Sequence, residues 1–266
     1  MSTPHSPQAA PTPEQIRTGW DRVAAGFDQY VTPLNFGFGE DALRRIGLEA
    51  GMRFLDVAAG SGALAVPAAR LGAQVVATDI SPVMIERLSA RARDEGLTNL
   101  QARVMDGTAL ELGDDTFDAA ASQHGVSLFP EIDQGLRELA RVTKPGGQVL
   151  IVAFGPPEKA EFLTFFLAAL QAAVPGFTGP PMDPPPLPFQ VADAGLLHEK
   201  LNRAGLTDVR VDTAVWDWPV RSATHAWDVV THSNPIGAML VADLTAEQTA
   251  EAQRVLDGML RERSGG

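Results

Sequence analysis

The chain has 266 residues, 45% of them hydrophobic, which suits one large domain, or one domain with a sizeable insertion, around a buried core. It carries 21 Lys and Arg against 33 Asp and Glu, a net charge of −12. That balance argues against a nucleic-acid or anionic-membrane partner, because either needs a basic face. There is no cysteine, so disulfides, thiolate nucleophiles and Cys-based zinc or iron–sulfur sites are excluded.

Taken in chain order, residues 1–13 hold Pro4, Pro7, Pro11 and Pro13 and no apolar pattern, and are expected to be a disordered tail rather than a signal peptide. No run of residues is apolar for long enough to span a membrane, so a cytoplasmic location is expected. Ile16, Trp20, Val23, Phe27 and Tyr30 recur at helical spacing and predict an amphipathic helix over 14–31, weakened by Gly19 and Gly26. A second helix is expected at 39–48, making 14–50 a helical unit of its own.

From Gly51 onward strands and helices alternate. Strands are predicted at 53–57, 74–79, 100–105, 117–122 and 148–154, and helices at 63–71, 82–95 and 132–142, with Ser81-Pro82 as a helix start and Lys144-Pro-Gly-Gly147 as a turn. This rhythm predicts an α/β fold: a doubly wound, mostly parallel Rossmann-like sheet over 51–155. Beyond it come a helix at 158–173, a stiff proline-rich loop at 175–188, a helix at 193–204, a strand at 208–216, and helices at 222–232 and 245–262, the last with Thr245 and Gln248 as a capping box. Residues 156–266 are expected to cover one edge of the sheet within the same domain.

The most informative stretch is Phe54-Leu-Asp-Val-Ala-Ala-Gly-Ser-Gly62. A strand ends in Asp56, and the tight turn of Gly60 and Gly62 lets a ligand approach the backbone where a helix opens. Asp79 ends the next strand, placed to accept from ribose hydroxyls, and Asp106 follows the third. A dinucleotide fits the glycine spacing formally, but a carboxylate at Asp56 is a poor neighbour for a pyrophosphate, whereas a cationic ligand tolerates it. Both readings stand on the residues alone.

Five segments in order resemble the class I S-adenosylmethionine-dependent methyltransferases: Leu55–Gly62, Thr78-Asp-Ile-Ser81, Met105-Asp-Gly107, Phe117-Asp-Ala119 and Arg141–Gly147. They are most similar to the small-molecule branch that includes the ubiquinone and menaquinone biosynthesis enzymes. The resemblance covers about residues 16–155 and implies S-adenosyl-L-methionine as cofactor. It implies that Asp56, Ala58, Gly60 and Gly62 hold the methionine part of that cofactor, that Asp79 binds ribose with Ile80 packing on adenine, and that Asp106 and Gly107 bind the adenine edge. It places Ser122, Gln123 and His124 beside the sulfonium. It makes the N-terminal helices a lid, with Tyr30 touching the cofactor, and 156–266 an acceptor-side helical cover.

Within that frame His124 is the candidate base, since an imidazole with an ordinary pKa near neutrality suits proton abstraction. Phe129, Trp216, Trp218, His225 and His232 are candidates for the acceptor pocket. Trp216 and Trp218 alternate along the expected strand and so share a face, and the two histidines lie seven apart on one helix face. The segment after strand four, Ser122-Gln-His-Gly125, lacks the motif of DNA amino-methylases, and no metal site is expected. The expected activity is methyl transfer to the O, N or C atom of a small organic acceptor, aromatic or apolar. A nicotinamide-dependent oxidoreductase and a binding protein of the same fold without turnover are the alternatives. The partner is therefore a small molecule; oligomeric state is open, with a homodimer among the options. The family closes its sheet with two further strands; 208–216 would be the sixth, and no seventh is legible.

Overall fold

The computed structural model describes residues 11–265. Most of the expected N-terminal tail lies outside them. The last residues of that tail are ordered: Thr12 caps the first helix, α1 (Pro13–Gly26), by a capping box with Gln15. A π-helical turn, Phe27–Val31, joins α1 to α2 (Thr32–Arg45), so the lid is one bent helical rod rather than two separated helices.

The core follows in the expected alternation: β1 (Arg53–Val57), α3 (Ala65–Arg70), β2 (Gln74–Asp79), α4 (Pro82–Asp94), β3 (Leu100–Val104), β4 (Phe117–Gln123), α5 (Ile132–Val142) and β5 (Thr143–Val152). Ser81 caps α4 through the Met84 N–H, with Pro82 at its first position. The five strands are all parallel, in the order β3-β2-β1-β4-β5. The order reverses between β1 and β4, and the crevice outside their carboxyl ends is where a sheet of this kind receives a ligand.

Alternate residues of β1 face opposite layers. Phe54 enters the core beneath α2 and α3 with Leu43, Leu64 and Leu88. Leu55 and Val57 enter the core under α5 and α7 (Ala194–Arg203) with Leu136, Leu139 and Leu197. The remaining helices are α6 (Glu161–Ala173), α8 (Ala223–Ser233), α9 (Pro235–Val241) and α10 (Ala246–Ser264). Phe166, Leu170, Trp227, Val230 and Leu256 form a third apolar cluster among α6, α8 and α10. Thr245 and Gln248 cap α10 as expected. The helix α9 was not legible from periodicity; Asn234 starts it by accepting from the Ile236 N–H.

Two expectations are corrected. Residues 144–147 are not a turn before a separate strand. Thr143 already pairs with Phe117, and Gln148 with Ala119, so the four residues bulge out of a strand that has begun. The predicted strand at 208–216 joins no sheet, and the described residues contain five strands. Its period-two signal arises because Val209 and Val211 pack on the core under α5 and α7. Burial of one face alternates residues without any ladder of hydrogen bonds.

Candidate active site

The turn after β1 carries the ligand geometry. Ala58 (φ 57°), Gly60 (φ 54°) and Gly62 (φ 102°) all have positive φ, and a Cβ on Gly62 would collide with Leu88. Ala58 pays the steric cost of the left-handed region. His124, just beyond β4, does the same at φ 57°. The two strained non-glycine residues thus flank the reversal point of the sheet, the place where strain is stored for function. Gly125 is required opposite Ala58, because a Cβ there would overlap the Ala58 methyl group.

Three carboxylates converge on this turn. Asp56 is 1% exposed, neither of its oxygens has a hydrogen-bond partner, and the Ala65 backbone N–H is the one group that favours its ionised form. Burial drives its pKa well above the usual carboxylate range, and the nearby Asp79 charge adds to the rise. Asp79 is 8% exposed and ties the two loops together. Its Oδ2 accepts from the Gly60 N–H and its Oδ1 from the Ser81 N–H, both at 2.9 Å. Burial outweighs these two bonds and, with the Asp21 charge, lifts its pKa to about 6. Each Asp79 oxygen keeps a lone pair for a further donor. Asp106 folds back on the Thr108 N–H and hydroxyl, 2.8 Å each, and lines a cleft of about 190 Å³ with Ala58, Ile80, Gly107 and Phe129.

The lid rests on the same turn. Phe27 lies 3.0 Å from the position of a Cβ on Gly60. The Thr32 and Ser61 hydroxyls meet at 2.6 Å in a buried pair, and the Ser81 hydroxyl donates to Asp21, also at 2.6 Å. Asp28 pairs with Arg87 and Arg91 on α4. None of these contacts was legible in the sequence, since each joins residues 29 or more apart.

Across the β1–β4 boundary the surroundings are aromatic. His124 stacks on Phe154 (centroids 4.4 Å apart, planes at 26°) and on Phe38 of α2 (6.0 Å, 21°). Phe154 in turn meets Phe162 and Phe189. The expectation of an imidazole titrating near neutrality is corrected: burial lowers the His124 pKa to about 4, so the ring is neutral at pH 7. Its Nδ1 is buried without a partner, although the residue retains part of its surface.

Other candidates divide. Trp216 and Trp218 do reach the aromatic group, in tilted contacts with Phe38 and Phe162 respectively. Tyr30 turns to His225 at 6.1 Å, so these two meet beneath the lid. His232 does not join them: it lies exposed on α8 with Asp228 at 3.5 Å. Phe129 lies in the Asp106 cleft, its ring filling the space a Cβ on Gly107 would need, rather than with the tryptophans. Ser122 is corrected from ligand contact to bracket. Fully buried, it donates to the Val57 carbonyl (2.7 Å) and accepts from the Val126 N–H (2.8 Å), locking β4 to β1. Gln123 holds Asn35 of the lid at 3.4 Å, and its side-chain carbonyl is buried without a donor. Sequence reasoning missed Phe38, Phe154 and Phe162. Their side chains carry no motif, and only the fold assembles them.

This arrangement of a glycine turn, three strand-end carboxylates and a covering helical rod is that of a class I S-adenosylmethionine-dependent methyltransferase, and the chain belongs to that family. A methyltransferase domain model matches residues 55–151. The demethylmenaquinone methyltransferase of Mycobacterium bovis (strain BCG) is 32% identical over 211 residues, covering 74% of this chain and 86% of that one. An uncharacterized protein of Mycobacterium tuberculosis is 43% identical over 108 residues, 41% of this chain; the match spans only 39% of that relative's length. Among solved structures, the cyclase SpnF covers 96% of this chain and 92% of its own at a TM-score of 0.59 and 21% identity. That likeness concerns the fold, and a cyclase on it illustrates that architecture does not fix the reaction. Family membership decides against the dinucleotide reading left open by the glycine spacing.

The cofactor of the family is S-adenosylmethionine, and the residues fit it. The Gln123 side-chain carbonyl is buried without a donor and each Asp79 oxygen has a lone pair to spare, which suits a ligand that carries an ammonium and hydroxyls. At the glycine turn the places of the missing Cβ atoms are taken by Phe27 at Gly60 and by Leu88 and Val66 at Gly62, so glycine is required there by close packing. No helix of the described residues is long and apolar enough to cross a membrane.

Proposed function

We propose that the protein transfers a methyl group from S-adenosylmethionine to a small, uncharged, flat organic acceptor, aromatic or largely apolar. The observation that carries this reading is the two-sided site. The cleft lined by Ala58 and Asp106 and the aromatic group around His124 start from the residues just beyond β1 and β4, which are neighbours in the sheet.

When bound, the cofactor supplies a methyl group made electrophilic by the sulfonium. Asp79 would hold the ribose hydroxyls, Asp106 and Gly107 the adenine edge, and Ile80 and Phe129 its faces. Gln123 and the Gly60–Gly62 turn would hold the amino-acid end. Asp56 is sealed behind the turn, where burial favours the neutral carboxyl, so it contributes bulk there rather than charge.

The lid and the aromatic group exclude water from the space between the two halves. Methyl transfer is an in-line displacement, so holding the acceptor atom aligned is the larger part of the enzyme's task. His124 takes up the acceptor's proton where the acceptor is a hydroxyl or an amine. With a pKa of about 4 it is a weak base, so it accepts a hydrogen bond first and the proton only as the new bond forms. Tyr30 and His225 close the lid side of the acceptor space.

Isothermal titration with S-adenosylhomocysteine tests the cofactor half. Binding is expected in the micromolar range, and Asp79→Ala should weaken it at least tenfold. Absence of binding, or an unchanged affinity in that variant, sinks the assignment.

A further inference from the structure

Residues 208–220 run between α7 and α8 as an extended segment outside the sheet. Two indoles hold its middle. Trp216 meets Phe38 of α2 at 5.4 Å with the planes tilted by 47°, and Trp218 meets Phe162 of α6 at 4.8 Å with the planes tilted by 39°. The segment therefore bridges the lid to the cover, across the aromatic group that contains His124 and Phe154. The two anchors are unequal. Trp216 remains 45% exposed and follows Val215, which is 87% exposed. Trp218 is half-buried.

A second observation concerns the seat of Trp216. Gly37 lies in the interior of α2, where glycine costs about 1 kcal/mol relative to alanine. A Cβ at that position would stand 3.2 Å from Cζ2 and 3.5 Å from Cη2 of the Trp216 indole. The helix gives up a side chain at the point where the six-membered ring of the indole approaches it.

Resting on the reading of this aromatic group as the acceptor's place, we infer that Trp216 and Trp218 are the acceptor-selecting residues and form a clasp. Trp218 is its fixed end. Trp216 is its exchangeable leaf, which leaves Phe38 and Gly37 to admit a flat uncharged ring that then stacks on the aromatic group. Among the described residues the arginines that stand over rings do so at Phe117 and Phe36, outside the clasp, and the charge nearest the two indoles along the chain is Asp217, a carboxylate, so an anionic ring compound meets no cation over these rings. The period-two pattern of this segment thus serves to aim two indoles at one face, not to extend the sheet.

The test uses the full chain and two probes, neutral 2-naphthol and anionic naphthalene-2-sulfonate, with and without saturating S-adenosylhomocysteine. Wild type is expected to bind the neutral probe at least tenfold more tightly than the anionic one. Trp218→Ala should weaken the neutral probe at least tenfold. Gly37→Leu, which unseats Trp216 while keeping it, should speed association of the neutral probe at least fivefold in stopped flow. That acceleration separates a clasp from mere packing, because lost packing does not hasten entry. The clasp is overturned if wild type does not bind 2-naphthol, if both probes bind alike, if Trp218→Ala leaves affinity unchanged, or if Gly37→Leu leaves the association rate unchanged. Titration of S-adenosylhomocysteine alone reports on the cofactor site, so failure of the methyltransferase reading is seen separately and leaves the probe experiment decisive.

Discussion

Replacing Asp79 by asparagine separates what this carboxylate costs the fold from what it gives the ligand. Its pKa stands at about 6 in the folded protein against 3.8 for the unperturbed group, a rise caused first by burial. That difference corresponds to about 3 kcal/mol of ionisation cost. Below pH 3.8 the group is protonated in both states. Between 3.8 and about 6 the unfolded chain releases the proton while the folded chain keeps it. The folded state then binds more protons, so this group's contribution to stability falls as pH rises through the window and is flat above it. Asparagine matches the size and carries no charge, although its amide can serve only one of the Gly60 and Ser81 N–H groups, at a cost of about 1–3 kcal/mol. Urea denaturation of both proteins between pH 4 and 8 gives the stability difference, in which the titrating groups other than Asp79 and its coupled neighbours Asp56 and Asp21 cancel. Wild type minus Asp79→Asn should drop by up to about 3 kcal/mol between pH 4 and 6.5 and then level. In wild type, S-adenosylhomocysteine should bind more tightly as pH rises from 5 to 7, because the ionised carboxylate is the better acceptor for hydroxyl donors, whereas Asp79→Asn should bind at least tenfold more weakly at pH 7. A stability difference independent of pH would refute the account of Asp79 as a buried, costly ion.

Three further outcomes are expected. Gly125→Ala should lose about 2 kcal/mol by thermal or urea unfolding, from collision with the Ala58 methyl group, and Ala58→Gly in the same chain should recover a large part of it; additive effects would place the strain elsewhere. Ser122→Ala should lose about 1–3 kcal/mol of stability by leaving the Val126 N–H unpaired, yet keep its S-adenosylhomocysteine affinity within threefold in calorimetry, as befits a bracket between β1 and β4. His124→Gln should slow methyl transfer to a hydroxyl or amine acceptor about 100-fold or more with cofactor affinity unchanged, and the wild-type pH–rate profile should show no His124 limb between pH 6 and 8; a limb there would contradict the lowered pKa.

The strand–helix rhythm from Arg53 to Val152 was legible because its signals are local. Apolar runs mark the strands, Ser81-Pro82 marks a helix start, and Gly60 and Gly62 mark a turn that few other residues tolerate. The three strand-end aspartates could be placed on one edge for the same reason: parallel strands all end on the same side. The segment at 208–216 was misread because alternation records which face is buried and says nothing of what pairs with the backbone. Ser122 was misread because its hydroxyl partners belong to β1 and to the turn after β4, and pairing of those strands is a tertiary event.

By itself, the sequence determined the individual strands from Arg53 to Val152, the glycine turn and the aspartates at or just after strand ends, since each depends on neighbours within a few residues along the chain. Only the tertiary structure decided that Phe27 lies on Gly60, that His124 is desolvated between Phe38 and Phe154, and that two tryptophans of an unpaired segment reach Phe38 of α2 and Phe162 of α6. Those facts depend on the packing of residues many positions apart. Burial and ring stacking are properties of the assembled interior, which no local pattern encodes.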